Sequence, residues 1–173
     1  MKDIESIKLI VLDVDGTMTD GGVYIDNNGI EQKKFNIKDG AGIILAESIG
    51  IEFMILTGRK SVCVEQRAKE LSIKYVCQGI HHKVDYLKDF ALNNALSAEH
   101  IAYIGDDLND LPAMHFVGIS ACPLDAADEV KSYCDYVLPV NGGEGVVRSF
   151  INILLKSTNR FEEAQKNLFP IKD

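Results

Sequence analysis

Short apolar runs rich in β-branched side chains alternate along this chain with stretches whose apolar positions recur at helical spacing. The runs predict strands over residues 8–14, 52–56, 75–77, 101–104, 117–120 and 136–138. The periodic stretches predict helices over about 40–48, 61–71, 84–94, 109–116, about 126–132, and 145–155. Strands separated by helices of that length predict a doubly wound, mostly parallel sheet covered on both faces, an α/β architecture with right-handed crossovers. Residues 22–36 break the alternation. They read as two strands around Asn27-Asn28-Gly29, a hairpin turn whose residues tolerate positive φ. A lone hairpin is only marginally stable in water. The pattern leaves open whether this one folds back on its own domain or packs on another subunit.

With no repeat, linker or low-complexity tract, residues 1–173 are expected to form a single domain, with the hairpin insertion at 22–36 and a tail at 159–173. A content of 46% hydrophobic and 25% charged residues suits one globular unit with a full core. The formal net charge of −8 argues against a nucleic acid or an anionic membrane as main partner. If the ligand is itself anionic, local lysines and arginines must receive it. No run approaches the length of a membrane span, and the apolar run at 7–12 is too short for a secretory leader. Cys63, Cys77, Cys122 and Cys134 lack paired metal-ligand spacing, so a reduced, cytoplasmic setting is expected.

Candidate chemistry concentrates at the carboxyl ends of the predicted strands. Asp13 and Asp15 close the first, Thr57-Gly58-Arg59 follows the second, Lys83 lies beyond the third, and Gly105-Asp-Asp-Leu-Asn-Asp110 follows the fourth. A parallel sheet lines these ends along one edge, so segments distant in sequence converge. Buried acids repel one another and lose solvation, which calls for a cation. Asp13, Asp15 and Asp106 offer the hard oxygen ligands that Mg²⁺ prefers. Thr57 supplies a hydroxyl and a loop amide for a phosphate oxygen, and Lys83 a point charge. Asp13 is then the expected covalent nucleophile toward phosphorus, and Asp15 the general acid for the leaving alkoxide and later the base for water. Asp107 reads as a helix cap, Asp110 as a water-bridged partner of the metal, and His81 and His82 as ordinary loop histidines.

Asp13-Val-Asp-Gly-Thr17, Thr57, Lys83 and Gly105-Asp-Asp-x-Asn-Asp110, in that order, resemble the motifs of haloacid dehalogenase superfamily phosphatases. The resemblance implies the same roles for Asp13, Asp15, Thr57, Lys83 and Asp106. Only the hairpin fills the place where many members carry a cap domain. This resembles the capless branch that includes the 3-deoxy-D-manno-octulosonate 8-phosphate phosphatases, whose hairpins assemble a homotetramer. Residues 34–40, 78–79 and 142–148 are similar to that group as well. The implied substrate is an anionic sugar-acid phosphate, with Gly58, Arg59 and Arg67 as substrate-binding residues and both arginines available to a carboxylate. A sister group acts on nonulosonate 9-phosphates; Arg59 favours the eight-carbon acid, whereas His82 and residues 145–150 depart from the more usual pattern. A tail such as 159–173 reaches a neighbouring site in some members; a frayed end is the alternative. A receiver-like switch domain shares acids, a threonine and a lysine on a doubly wound sheet. It places the acidic pair and the phosphoacceptor on separate strands, whereas Asp13 and Asp15 share one loop.

Overall fold

The computed structural model describes residues 4–170. Its core is a six-stranded parallel sheet of β1 (Leu9–Leu12), β4 (Glu52–Thr57), β5 (Tyr75–Gln78), β6 (Ile101–Ile104), β7 (Ile119–Cys122) and β8 (Tyr136–Val137). The hairpin strands β2 (Tyr24–Ile25) and β3 (Glu31–Gln32) form a separate antiparallel pair. In the order β5-β4-β1-β6-β7-β8, the chain winds outward from β1 in one direction and then crosses back to build the other half. The crevice at this reversal, between β1 and β6, is where doubly wound sheets bind ligands.

Every residue of β1 is buried, because helices cover both faces and no alternation with polar residues is needed. Ile10 and Leu12 face one layer with Phe53, Ile55, Ala102 and Ile104, whereas Leu9 and Val11 face the other with Met54, Leu56 and Tyr103. The first layer is closed by α1 (Ile37–Glu47), α2 (Val62–Glu70), α6 (Val146–Ser157) and α7 (Phe161–Leu168). The second is closed by α3 (Lys83–Asn93), α4 (Leu111–Phe116) and α5 (Asp128–Tyr133). No helix among the described residues is long and apolar enough to cross a membrane.

Several boundaries move from their expected places for identifiable reasons. Helix α1 begins at Ile37 rather than near residue 40, because the Asn36 side chain accepts from the Lys38 amide at 2.9 Å and caps it. Helix α4 begins at Leu111, since residues 107–110 form a turn around the Asp110 carboxylate. Strand β7 starts two residues late; the Gly118 amide bonds to the Ala98 carbonyl at 2.8 Å, and pairing with β6 begins at Ile119. Sequence reasoning did not find α7. It docks on its own chain through buried Ala164, with Arg160 and Asn167 donating to the carbonyls of Ile49 and Ser48. That places residues 161–168 against α1; the last three residues of the expected tail lie outside the described residues.

The hairpin leaves the sheet directly after the Asp13–Asp15 loop and is rooted by the bridge between Thr19 and Phe35. Asp26 accepts from the amides of Asn28 and Ile30, and Gly29 adopts φ +78°. Val23, Tyr24, Ile25 and Ile30 are all exposed, so the hairpin presents apolar side chains to solvent.

Candidate active site

Asp13 sits where β1 ends, its amide bonded to the Ile104 carbonyl of β6 at 2.9 Å, so its side chain emerges at the reversal crevice. The chain then turns sharply through residues 14–18. Gly16 holds φ +93°, and a Cβ there would lie 2.0 Å from Asp106 Oδ2. Glycine therefore meets both demands of this turn, the positive φ and the close approach of the second acidic loop. Thr17 Oγ1 donates to Asp106 Oδ1 at 3.1 Å and ties the two loops together.

Lys83 opens α3 and runs its side chain into the interior, where it is 1% exposed. Its Nζ donates to Asp13 Oδ1 at 2.5 Å and to Asp110 Oδ1 at 2.6 Å. Asp110 also accepts from the Tyr103 hydroxyl at 2.6 Å and from the amides of Asp106 and Asp107. It thus fixes both the lysine and the loop that carries Asp106.

One ligand oxygen from each of Asp13, Asp106 and Asp110 falls within 4.8 Å of the others. Burial, followed by the charge of Asp110, pushes the Asp13 carboxyl up to about 7 despite the opposing Lys83. Burial and the charges of Asp13 and Asp110 push Asp106 up to about 8. Three carboxylates around one lysine lack positive charge, and oxygen donors in this grouping fit a hard divalent cation such as Mg²⁺. The set differs from the expected Asp13, Asp15 and Asp106. The Asp15 side chain is instead paired with Lys33 of the hairpin and stands 4.0 Å from Arg59 Nη1.

Asp13, Asp15, Thr57, Gly58, Arg59, Asp106, Asp107 and Asn109 line a cavity of about 210 Å³. Thr57 ends β4 with its side chain buried, and Arg59 is half exposed at the mouth. Arg67 is not brought to this cavity. It lies on α2, donating to the Asn36 carbonyl at 3.2 Å and to Glu70 at 2.8 Å, because the α2 face that carries it packs toward Gly40 of α1. His81 and His82 are exposed. Sequence reasoning passed over Glu31, Lys33 and Ser61, which join Arg59 and Asp15 in one charged network. The available signal was the spacing of Glu31 and Lys33, two apart and hence on one face of a strand.

Residues 76–150 match the haloacid dehalogenase-like hydrolase family. The chain is 41% identical over 165 residues to the 3-deoxy-D-manno-octulosonate 8-phosphate phosphatase of Escherichia coli BL21, covering 95% of this chain and 88% of that protein. It is 37% identical over 159 residues to the enzyme of the same name from Yersinia pestis, covering 92% and 85%. Among solved structures, the Moraxella catarrhalis phosphatase of that name, in complex with magnesium ion, phosphate ion and KDO, superposes with a TM-score of 0.90. It is 36% identical, over 92% of both chains.

Proposed function

Because the chain belongs to the 3-deoxy-D-manno-octulosonate 8-phosphate phosphatase family of haloacid dehalogenase-like hydrolases, we propose that it hydrolyses that phosphomonoester in a Mg²⁺-dependent reaction of lipopolysaccharide biosynthesis. The observation that carries the reading is the convergence of Asp13, Lys83, Asp106 and Asp110 at the end of β1, with Thr57 lining the cavity that Asp13 and Asp106 enter.

Asp13 attacks phosphorus. A P–O bond forms to its carboxylate as the bond to the sugar oxygen breaks, and Asp15 gives its proton to the departing alkoxide. Water then attacks the aspartyl phosphate, Asp15 takes the water proton, and Asp13 is released with inorganic phosphate. Thr57 and Lys83 hold phosphoryl oxygens, and Asp110 holds Lys83. Asp13 and Asp106 would bind Mg²⁺ with Asp110 beside them, and the ion supplies charge neutralisation to the transferring phosphoryl group. Arg59 at the mouth receives the sugar acid's carboxylate. The whole chain acts as one domain in the cytoplasm. Its exposed Val23, Tyr24, Ile25 and Ile30 support assembly of a homotetramer through the hairpin.

Asp13→Asn tests the nucleophile. We expect a folded protein with turnover near background and no phosphoryl group on the Asp13 peptide after acid quench. Retained turnover in that variant would overturn the assignment.

A further inference from the structure

The hairpin carries charges at Glu31 and Lys33 that its turn does not require. Glu31 Oε1 accepts from Arg59 Nη2 at 2.5 Å, and Oε2 accepts from the Ser61 hydroxyl at 2.5 Å. Lys33 Nζ stands 3.6 Å from Glu31 Oε1, is itself 1% exposed, and is paired with Asp15. Glu31 is therefore gripped on three sides, by α2's leading serine, by its strand neighbour and by the arginine it holds. The Ser61 hydroxyl bond, aided by Lys33 and Arg59, keeps its carboxyl below the ordinary range.

Arg59, at 48% exposure, would sweep many rotamers if left alone. Glu31 takes one of its terminal nitrogens, while the other stands 4.0 Å from Asp15 at the cavity that both residues line. Among the described residues lining the cavity, Arg59 is the cationic side chain, and its hydrogen bond to Glu31 uses one of its several N–H donors. Within the network the Arg59–Glu31 pair is the partly exposed one, and pairs of that kind contribute little to folding. A guanidinium fixed before its ligand arrives binds more tightly, since its rotamer freedom is already lost.

We propose that Glu31 is a positioning residue for substrate choice: it holds Arg59 across the mouth so that the free edge of the guanidinium meets the carboxylate of the sugar acid. The proposal deepens, and rests on, the sugar-acid phosphatase reading given above. It also makes the hairpin part of the site, in the place where a cap would otherwise select the substrate.

Glu31→Ala and Glu31→Gln are compared with wild type on 3-deoxy-D-manno-octulosonate 8-phosphate and on p-nitrophenyl phosphate, which has no carboxylate. For Glu31→Ala we expect the fall in kcat/KM on the sugar acid to exceed that on the aryl phosphate about tenfold, and to appear in KM rather than kcat. Glu31→Gln keeps an oxygen acceptor for Nη2 and should recover most of the difference. Equal losses on both substrates, with no recovery by glutamine, would make Glu31 a prop of the hairpin and overturn the proposal. An unchanged KM in Glu31→Ala would overturn it too. A wild-type protein that cleaves the aryl phosphate but not the sugar acid would instead remove the substrate reading, and the role of Glu31 with it.

Discussion

Lys83→Met keeps the length and apolar stem of the side chain and deletes its charge. In the native protein that charge sits 2.5 Å from Asp13 and 2.6 Å from Asp110, out of reach of water. Breaking a buried ion pair from one side costs about 3–5 kcal/mol, because the remaining charge stays buried without its partner. Relief is available here: Asp13 and Asp106, raised to about 7 and about 8, accept protons near neutral pH and reduce the repulsion. We therefore expect the low end, about 3 kcal/mol, or roughly 6–12 °C in the unfolding midpoint for a chain of this size. Burial opposes the lysine's charge, but the two carboxylates outweigh it, so its own pKa is raised. A raised cation contributes its stability below the unfolded pKa and loses it only as pH climbs past the folded one, in the alkaline range. The deficit near neutrality thus follows Asp13 and Asp106: it should be larger at about pH 8 than at about pH 5.5, where these two carboxyls are protonated. Calorimetry of the metal-free wild type and variant at both pH values reads this directly. A midpoint within about 2 °C of wild type at the higher pH, less than 1 kcal/mol on the same scale, would refute the claim that Lys83 is the counterweight to the acidic cluster.

Mg²⁺ should stabilise the wild type, by about 2.7 kcal/mol at a hundredfold excess over its dissociation constant. Asp106→Asn should lose most of that gain in thermal unfolding. Arg59→Ala should weaken the sugar-acid substrate far more than an aryl phosphate, the loss falling on KM; equal losses would argue against carboxylate recognition. Asp39, buried in α1 and accepting from the Arg148 amide at 2.8 Å, is pushed up to about 6 by burial. Its folded value lies above the unfolded 3.8, so its contribution is complete below 3.8 and lost as pH rises through 6, about 3 kcal/mol in all. Asp39→Asn keeps an acceptor for Arg148 and should gain on wild type by up to that amount across this window. Parallel stability curves in denaturant titrations would contradict it.

Much of the sheet could be read from the chain because β1, β4 and β6 are buried on both faces and their apolar runs are uninterrupted. The meeting of Asp13, Thr57, Lys83 and Asp106 followed from topology, since parallel strands bring their carboxyl ends to one edge. Which acid joins which was not legible. Asp15 and Asp110 are separated by which way a carboxylate turns: Lys33 draws the first toward the hairpin, while Lys83, Tyr103 and two backbone amides draw the second inward. Arg67 sits eight positions beyond Arg59 in sequence, yet α2 turns it toward Asn36 and Gly40. Helix α7 escaped notice because its apolar positions are few and its docking depends on the exposed end of α1. Asp39 illustrates the same limit. It caps α6 across more than a hundred residues, beneath a Gly145 that offers no side chain for the task.

The most direct measurement is phosphate release from 3-deoxy-D-manno-octulosonate 8-phosphate, a nonulosonate 9-phosphate and a generic sugar phosphate, each with Mg²⁺ and with EDTA. We expect strong preference for the eight-carbon acid, abolished by EDTA and absent from Asp13→Asn. Preference for the nine-carbon acid would keep the chemistry and contradict the substrate. Phosphate release that persists in EDTA or in Asp13→Asn would contradict the Asp13-centred, metal-dependent mechanism itself.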